Sequence, residues 1–136
     1  MTKSITLALA ALAGLAAPLS ATAQADAPQL TKGEMKLAEM LEGRVPGEPE
    51  SCLSRRAQRD DIEVIDGTAL VFGRGKTIWV SVPRRPASLD DRDILVTRTF
   101  GSQLCTSDVI STLDSSGHFY NGNIFLGEFV PYTRMD

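Results

Sequence analysis

The chain has one histidine, His118, and only two cysteines, Cys52 and Cys105. Neither cysteine belongs to a Cys-x-x-Cys motif, and neither has metal-ligand spacing to the histidine. That leaves no redox dithiol motif and little from which to build a zinc or copper centre. No Gly-x-Ser-x-Gly segment occurs, so the nucleophile elbow of the α/β hydrolases is missing. Beyond residue 25 no apolar run approaches the eighteen or more residues that a membrane helix requires. Excess positive charge is missing too. The formal net charge is −3, and an acidic domain is poorly suited to holding phosphate backbones, which argues against a nucleic-acid partner. Residues 26–136 hold no internal repeat and no low-complexity tract.

What is present begins with a leader. Lys3 supplies a positive start, Ile5 to Ala17 is an uncharged apolar run too short to span a bilayer, and Pro18 interrupts it. Ala21-Thr22-Ala23 and Ala23-Gln24-Ala25 are overlapping small-x-small cleavage sites. The spacing predicts a signal peptide over residues 1–25 and a periplasmic or secreted product. Cleavage after Ala25 leaves 136 less 25, or 111 residues, enough for one domain over residues 26–136. Cleavage after Ala23 adds two more. Loss of Lys3 takes the basic count from 14 to 13 against 17 acids, a net charge of −4. The first cysteine lies far from the cleavage region, so no lipid anchor is expected and the product reads as soluble.

In an oxidising compartment an even pair of cysteines most economically forms one disulfide, here Cys52–Cys105, with two buried free thiols as the alternative. Closing a loop of about 54 residues stabilises a fold by roughly 4 kcal/mol in the chain-entropy model.

Thr31-Lys32-Gly33-Glu34 fits a capping box, flanked by Leu30 and Met35 at hydrophobic-staple positions. Leu37, Met40 and Leu41 supply a stripe, and Gly43 a stop. Pro46-Gly47 and Pro49 break regular structure before Cys52. From Ile62 the pattern turns to β. Ile62 to Ile65 leads through Asp66-Gly67, read as a two-residue hairpin turn, into Ala69 to Phe72. Gly73 to Lys76 forms a second turn, and Thr77 to Val82 a third strand ended by Pro83 and Pro86. Ser88 to Asp91 reads as a turn, Ile94 to Phe100 as a strand, and Leu104-Cys105 as the start of another. Ser107 to Leu113 fits a short helix or a strand equally. Asn123 to Val130 reads as the last strand, closed by Pro131.

The fold class expected is mainly β with a short N-terminal helix, a small antiparallel sandwich or partly open barrel of five to six strands. Alternation places Val64, Leu70, Phe72, Ile78, Val80, Leu95, Ile124, Leu126 and Phe129 in its core.

These residues carry a resemblance. Leu37 to Arg44, Cys52, Val64 to Ala69, Asp93 to Cys105 and Gly127 to Tyr132 together resemble a group of small uncharacterised exported proteins of Gram-negative bacteria. The similarity covers nearly all of the expected mature chain, and the block ending in Cys105 is its most specific part. It implies a compact, largely β, periplasmic domain with paired cysteines. It assigns no catalytic residue.

Four features are candidates for chemistry or recognition. His118 has Ser111, Ser115, Ser116, Asp108 and Asp114 near it in sequence, the residue types of a serine hydrolase. A polar turn explains the same residues. Asp90, Asp91 and Asp93 offer oxygens to a hard cation but lack EF-hand spacing, and a capping turn accounts for them. Arg55, Arg56 and Arg59, with Arg84 and Arg85, present guanidinium forks suited to a wall polymer or phospholipid headgroup. Ion pairs with Asp60 and Asp61 are the ordinary alternative. Aromatic residues concentrate near the C-terminus as Phe119, Tyr120, Phe125, Phe129 and Tyr132. Asn121-Gly122 reads as a hairpin turn presenting Tyr120 outward, with Phe125 and Phe129 inward on one strand.

The reading that joins these features is a non-enzymatic periplasmic domain that binds or inhibits a partner or serves envelope upkeep. The expected binding surface is Tyr120 with Arg55, Arg56, Arg84 and Arg85, and the expected partner an envelope protein or wall polymer. No catalytic residue, metal or cofactor is expected. A small envelope hydrolase using His118, and a structural subunit of an envelope complex, are the alternatives.

Overall fold

The computed structural model describes residues 28–59 and 61–135. The expected leader lies outside the described residues. Helix α1, Lys32–Leu41, opens on the capping box. Glu34 N–H donates to Thr31 Oγ1 at 3.2 Å, and Thr31 N–H donates to Glu34 Oε2 at 2.7 Å. The pair satisfies two backbone amides at and just inside a terminus where intrahelical partners are lacking. Leu37, Met40 and Leu41 pack against a sheet. Leu30 and Met35, expected to form a staple, remain more than half exposed.

The strands are β1 (Arg44–Pro46), β2 (Cys52–Leu53), β3 (Ile62–Ile65), β4 (Ala69–Phe72), β5 (Thr77–Ser81), β6 (Ile94–Thr97), β7 (Leu104–Cys105), β8 (Val109–Leu113), β9 (Tyr120–Phe125) and β10 (Phe129–Arg134). A short helix α2 (Arg55–Arg59) follows β2, and a 3-10 turn (Pro86–Ser88) follows β5. The architecture is mainly β with a short helix near its start. Three open antiparallel sheets form: β1-β10-β5-β4-β3, β2-β7 and β6-β8-β9.

The five-stranded sheet is covered on both faces, and β4 is buried along its whole length. Leu70 and Phe72 enter the main core with Leu53, Leu104, Ile110, Ile124, Leu126 and Phe129. Phe72 and Phe129 meet edge to face with centroids 5.5 Å apart. Ala69 and Val71 point the other way and, with Ile65, Ile78 and Val80, receive the apolar stripe of α1. Val64 and Leu95, expected in the core, are half-buried against it. Leu89, in the loop after the 3-10 turn, is buried although its segment reads as a turn.

Cys52 and Cys105 form the disulfide, directly opposite one another across β2–β7. The next pair in that ladder, Leu53 and Leu104, is fully buried in the main core. The bridge therefore pins the β2 end of the chain to its later half beside the most tightly packed residues.

Four local expectations are corrected. Ile65 pairs with Ala69, so the first hairpin loop has three residues, closed by Thr68 N–H to Ile65 O at 2.9 Å. The strand expected to run to Phe100 ends at Thr97, and Phe100 is fully exposed. Asn123 to Val130 is not one strand. It divides at Gly127, where a Cβ would lie 2.1 Å from Val82 O and where Ser81 Oγ donates to Gly127 O at 2.9 Å. Only glycine lets the two backbones come that close. Phe125 and Phe129 thus belong to different strands, and Phe125 faces solvent. Asn121-Gly122 is not a turn but lies within β9, and the β8–β9 hairpin turns at 114–119. Ser107 to Leu113, open between helix and strand in the sequence, contributes β8.

Candidate functional site

Among the described residues, the three-stranded sheet is where an apolar face is left without cover. Ile110, Thr112 and Ile124 are buried, and Leu95 packs against the main core. Because side chains alternate along a strand, their neighbours Ile94, Val96, Val109, Ser111, Leu113, Asn123 and Phe125 occupy the outer face. Cross-strand register stacks them in rows: Ile94 beside Leu113 beside Tyr120, Val96 beside Ser111 beside Asn123, and Val109 beside Phe125.

Tyr120 joins this face through an irregularity. Thr112 pairs with Gly122, yet the next residue, Leu113, pairs with Tyr120, so Asn121 is the extra residue of a bulge. A bulge breaks strict alternation and re-aims the following side chain. Asn121 Nδ2 donates to Asp93 Oδ2 at 2.8 Å, which ties the bulge to the loop before β6. Tyr120 is 65% exposed, Phe125 47% and Ile94 37%. Between them Ser111 Oγ donates to Asn123 Oδ1 at 3.2 Å. The result is an exposed, largely apolar surface with aromatic ends and one polar pair at its centre. Tyr120 and Phe125 line none of five clefts of about 270 to 400 Å³ on the described surface.

The arginines do not form one patch. Arg56 lines a cleft with Arg74, Lys76 and Trp79 near the start of β5. Arg84 and Arg85 are exposed beyond its other end, where Arg84 N–H donates to Phe125 O at 3.0 Å. The strand between them spans about 13 Å. Arg84 and Arg85 thus adjoin the outer sheet face at β9, whereas Arg55 and Arg56 belong to α2.

The residues around His118 form a turn. Asp114 Oδ1 accepts from Ser116 N–H and Gly117 N–H, each at 2.9 Å, and from the Ser116 hydroxyl. The Ser116 hydroxyl, then these amides, hold the Asp114 carboxyl below its ordinary range. His118 sits at φ 55, and its backbone N–H donates to Asp114 O at 2.9 Å. Ser111 is engaged by Asn123, and Asp108 accepts from Cys105 N–H at 2.8 Å. Among the described residues, no hydroxyl or carboxylate hydrogen-bonds the His118 ring.

Asp90 likewise caps a turn. Its Oδ1 accepts from Arg92 N–H and Nε–H, and its Oδ2 from Arg92 Nη2 at 2.9 Å. The Arg92 side chain, then its backbone amide, lowers the Asp90 pKa. Asp93 turns instead to Asn121, and the acid brought to Asp90 and Asp91 is Asp66, which the sequence pattern did not place there. Their oxygens lie within 4.8 Å of one another. Lys32, Lys36 and Arg92 line the same cleft, so its charge is mixed.

No family model, curated protein or solved structure matches this chain. Its geometry has to carry the functional reading.

Proposed function

We propose that this chain is an exported, non-enzymatic binding domain that docks a partner protein of the cell envelope on the outer face of the β6-β8-β9 sheet. The observation that carries this reading is the contrast between the sheets. The five-stranded sheet has core on one face and α1 on the other, whereas the outer face of the three-stranded sheet exposes Ile94, Tyr120 and Phe125 together. Contiguous apolar surface with tyrosine and phenylalanine at its rim marks an interaction site. Tyr120 and Phe125 line none of the five clefts, which favours a protein over a small molecule, since small ligands are taken up in concave pockets. The disulfide and the leader support export.

Affinity capture from envelope extract with the disulfide-intact protein is expected to recover one stoichiometric partner. A Tyr120→Ser, Phe125→Ser double variant with an unchanged circular dichroism spectrum should lose it. Equal recovery by the parent and the variant would reject this face as the docking surface.

A further inference from the structure

The two larger sheets end in edge strands, β1 and β3 in one, β6 and β9 in the other. β1 carries Pro46 and runs into Gly47 and Pro49. β3 carries Glu63, whose carboxylate meets Lys36 of α1 at 2.9 Å. β9 carries the bulge at Asn121, and its Phe125 O already accepts from Arg84 N–H at 3.0 Å. Proline, charge and bulges are the devices by which natural sheets keep other strands off their edges. β6 has none of them. Ile94-Leu95-Val96-Thr97 is uncharged, mostly β-branched and regular in its register with β8. Among the described residues, β8 is the only element that packs extensively beside it.

Hydrogen bonding at the far side of β8 fixes which backbone groups line that edge. Asp114 N–H donates to Phe119 O at 2.8 Å across the β8–β9 hairpin. In an antiparallel strand the N–H and C=O of one residue point the same way, and the direction alternates along the chain. Thr112 and Ile110 therefore face β9 as Asp114 does. Their partners on the other side, Leu95 and Thr97, stand in non-hydrogen-bonded pairs with them. The N–H and C=O groups of Leu95 and Thr97 thus point away from β8, and no described backbone group meets them.

We propose that β6 pairs antiparallel with β6 of a second copy of this chain, joining the two β6-β8-β9 sheets into one. A two-fold axis through Val96 sets Leu95 of each copy opposite Thr97 of the other, and each such pair exchanges two main-chain hydrogen bonds. Val96 meets its own counterpart on the outer face, an apolar β-branched contact. The strand is flanked by opposite charges, Asp93 before it and exposed Arg98 after it. Antiparallel pairing sets the acidic end of one copy beside the basic end of the other. A second copy is therefore matched in register, side-chain type and charge. The loop leaving β6 carries Phe100, fully exposed in its own chain, and the same register turns that loop toward the partner's residues 91–93. The pairing uses only the edge of β6 and stands whether or not the outer face binds an envelope protein.

The disulfide-intact protein is measured by sedimentation velocity from micromolar to millimolar concentration, because so small a contact makes a weak dimer. The mass should rise from one chain to two, and hydrogen exchange at the Leu95 and Thr97 amides should slow with the dimer fraction. Val96→Lys sets two ammonium groups against each other on the axis and should abolish the dimer. Thr97→Pro, which removes an outward N–H and no bond to β8, should do the same. Mixing Val96→Lys with Val96→Glu should restore association, a rescue that a misfolded variant cannot give. Val45→Lys, at an exposed position on β1, should leave the dimer unchanged. A single-chain mass throughout would overturn the proposal, as would a dimer that survives Val96→Lys or leaves exchange at Leu95 and Thr97 unaltered. Protection of those amides only on addition of envelope extract would reject a second copy and give the edge to a different chain.

Discussion

Arg44 connects three parts of the fold with one side chain. Its Nε–H donates to Met40 O at 3.1 Å, its Nη1 to Lys76 O at 2.8 Å and its Nη2 to Gly75 O at 2.9 Å. It joins the end of α1 to the β4–β5 turn. Desolvation, followed by the nearby charge of Arg134, lowers its pKa from the ordinary arginine value. Arg44→Ala should cost about 2 kcal/mol in urea unfolding, and Arg44→Lys should recover only part, because an ammonium cannot reproduce the spread of a guanidinium. Asp114 makes a smaller, pH-dependent contribution. Its carboxyl is held below the ordinary value of about 3.9 by the Ser116 hydroxyl and the Gly117 and Ser116 amides. A depressed carboxyl stabilises the fold above its unfolded pKa, and that stability is lost as pH falls through the folded pKa. An NMR titration should place the Asp114 midpoint below that of a free aspartate, and Asp114→Asn should flatten this part of the acid limb.

At the scale of elements, the docking of α1 turns on Gly33. A Cβ there would lie 2.0 Å from Thr68 Oγ1 and 2.5 Å from the backbone oxygen of Asp66. Helix propensity alone favours Gly33→Ala by up to about 1 kcal/mol. The backbone contact cannot yield cheaply, so the substitution is expected to destabilise the protein by about 1–3 kcal/mol through displacement of α1 from the β3–β4 turn. Thermal unfolding decides the sign. The capping box and the β3-β4-β5 meander were legible because their signals are local. Thr31 with Glu34 makes a cap wherever it stands before a helix, and β-branched runs between glycine turns pair with their neighbours. The break between β9 and β10 was not legible, since Gly127 is demanded by a backbone distant in sequence, as its 46-residue hydrogen bond to Ser81 shows. For β8, Val109, Ile110 and Leu113 satisfy both periodicities, and pairing with β6 and β9 makes it a strand.

For the molecule as a whole, the disulfide joins β2 to β7 beside the buried Leu53–Leu104 pair. Its reduction should cost about 2–5 kcal/mol. For a domain near 100 residues that lowers Tm by roughly 10–30 °C, measurable by calorimetry with and without reductant. Of the outer sheet face, the sequence pointed to Tyr120 alone. Ile94, Val96, Val109 and Leu113 read as ordinary strand residues, because apolar side chains on both faces of a strand do not say which face is covered. Strict alternation puts Tyr120 and Phe125 on opposite faces, and only the bulge at Asn121 brings them to the same one. Arg56 and Arg84 were grouped because both are basic, and β5 separates them.

The most direct measurement concerns the uncovered sheet. A photo-crosslinking aromatic residue is placed at position 120 in the cells that make the protein, with a control at exposed Met35. A discrete adduct with one envelope protein is expected from position 120 and none from position 35. Identical, diffuse labelling from both positions would contradict it.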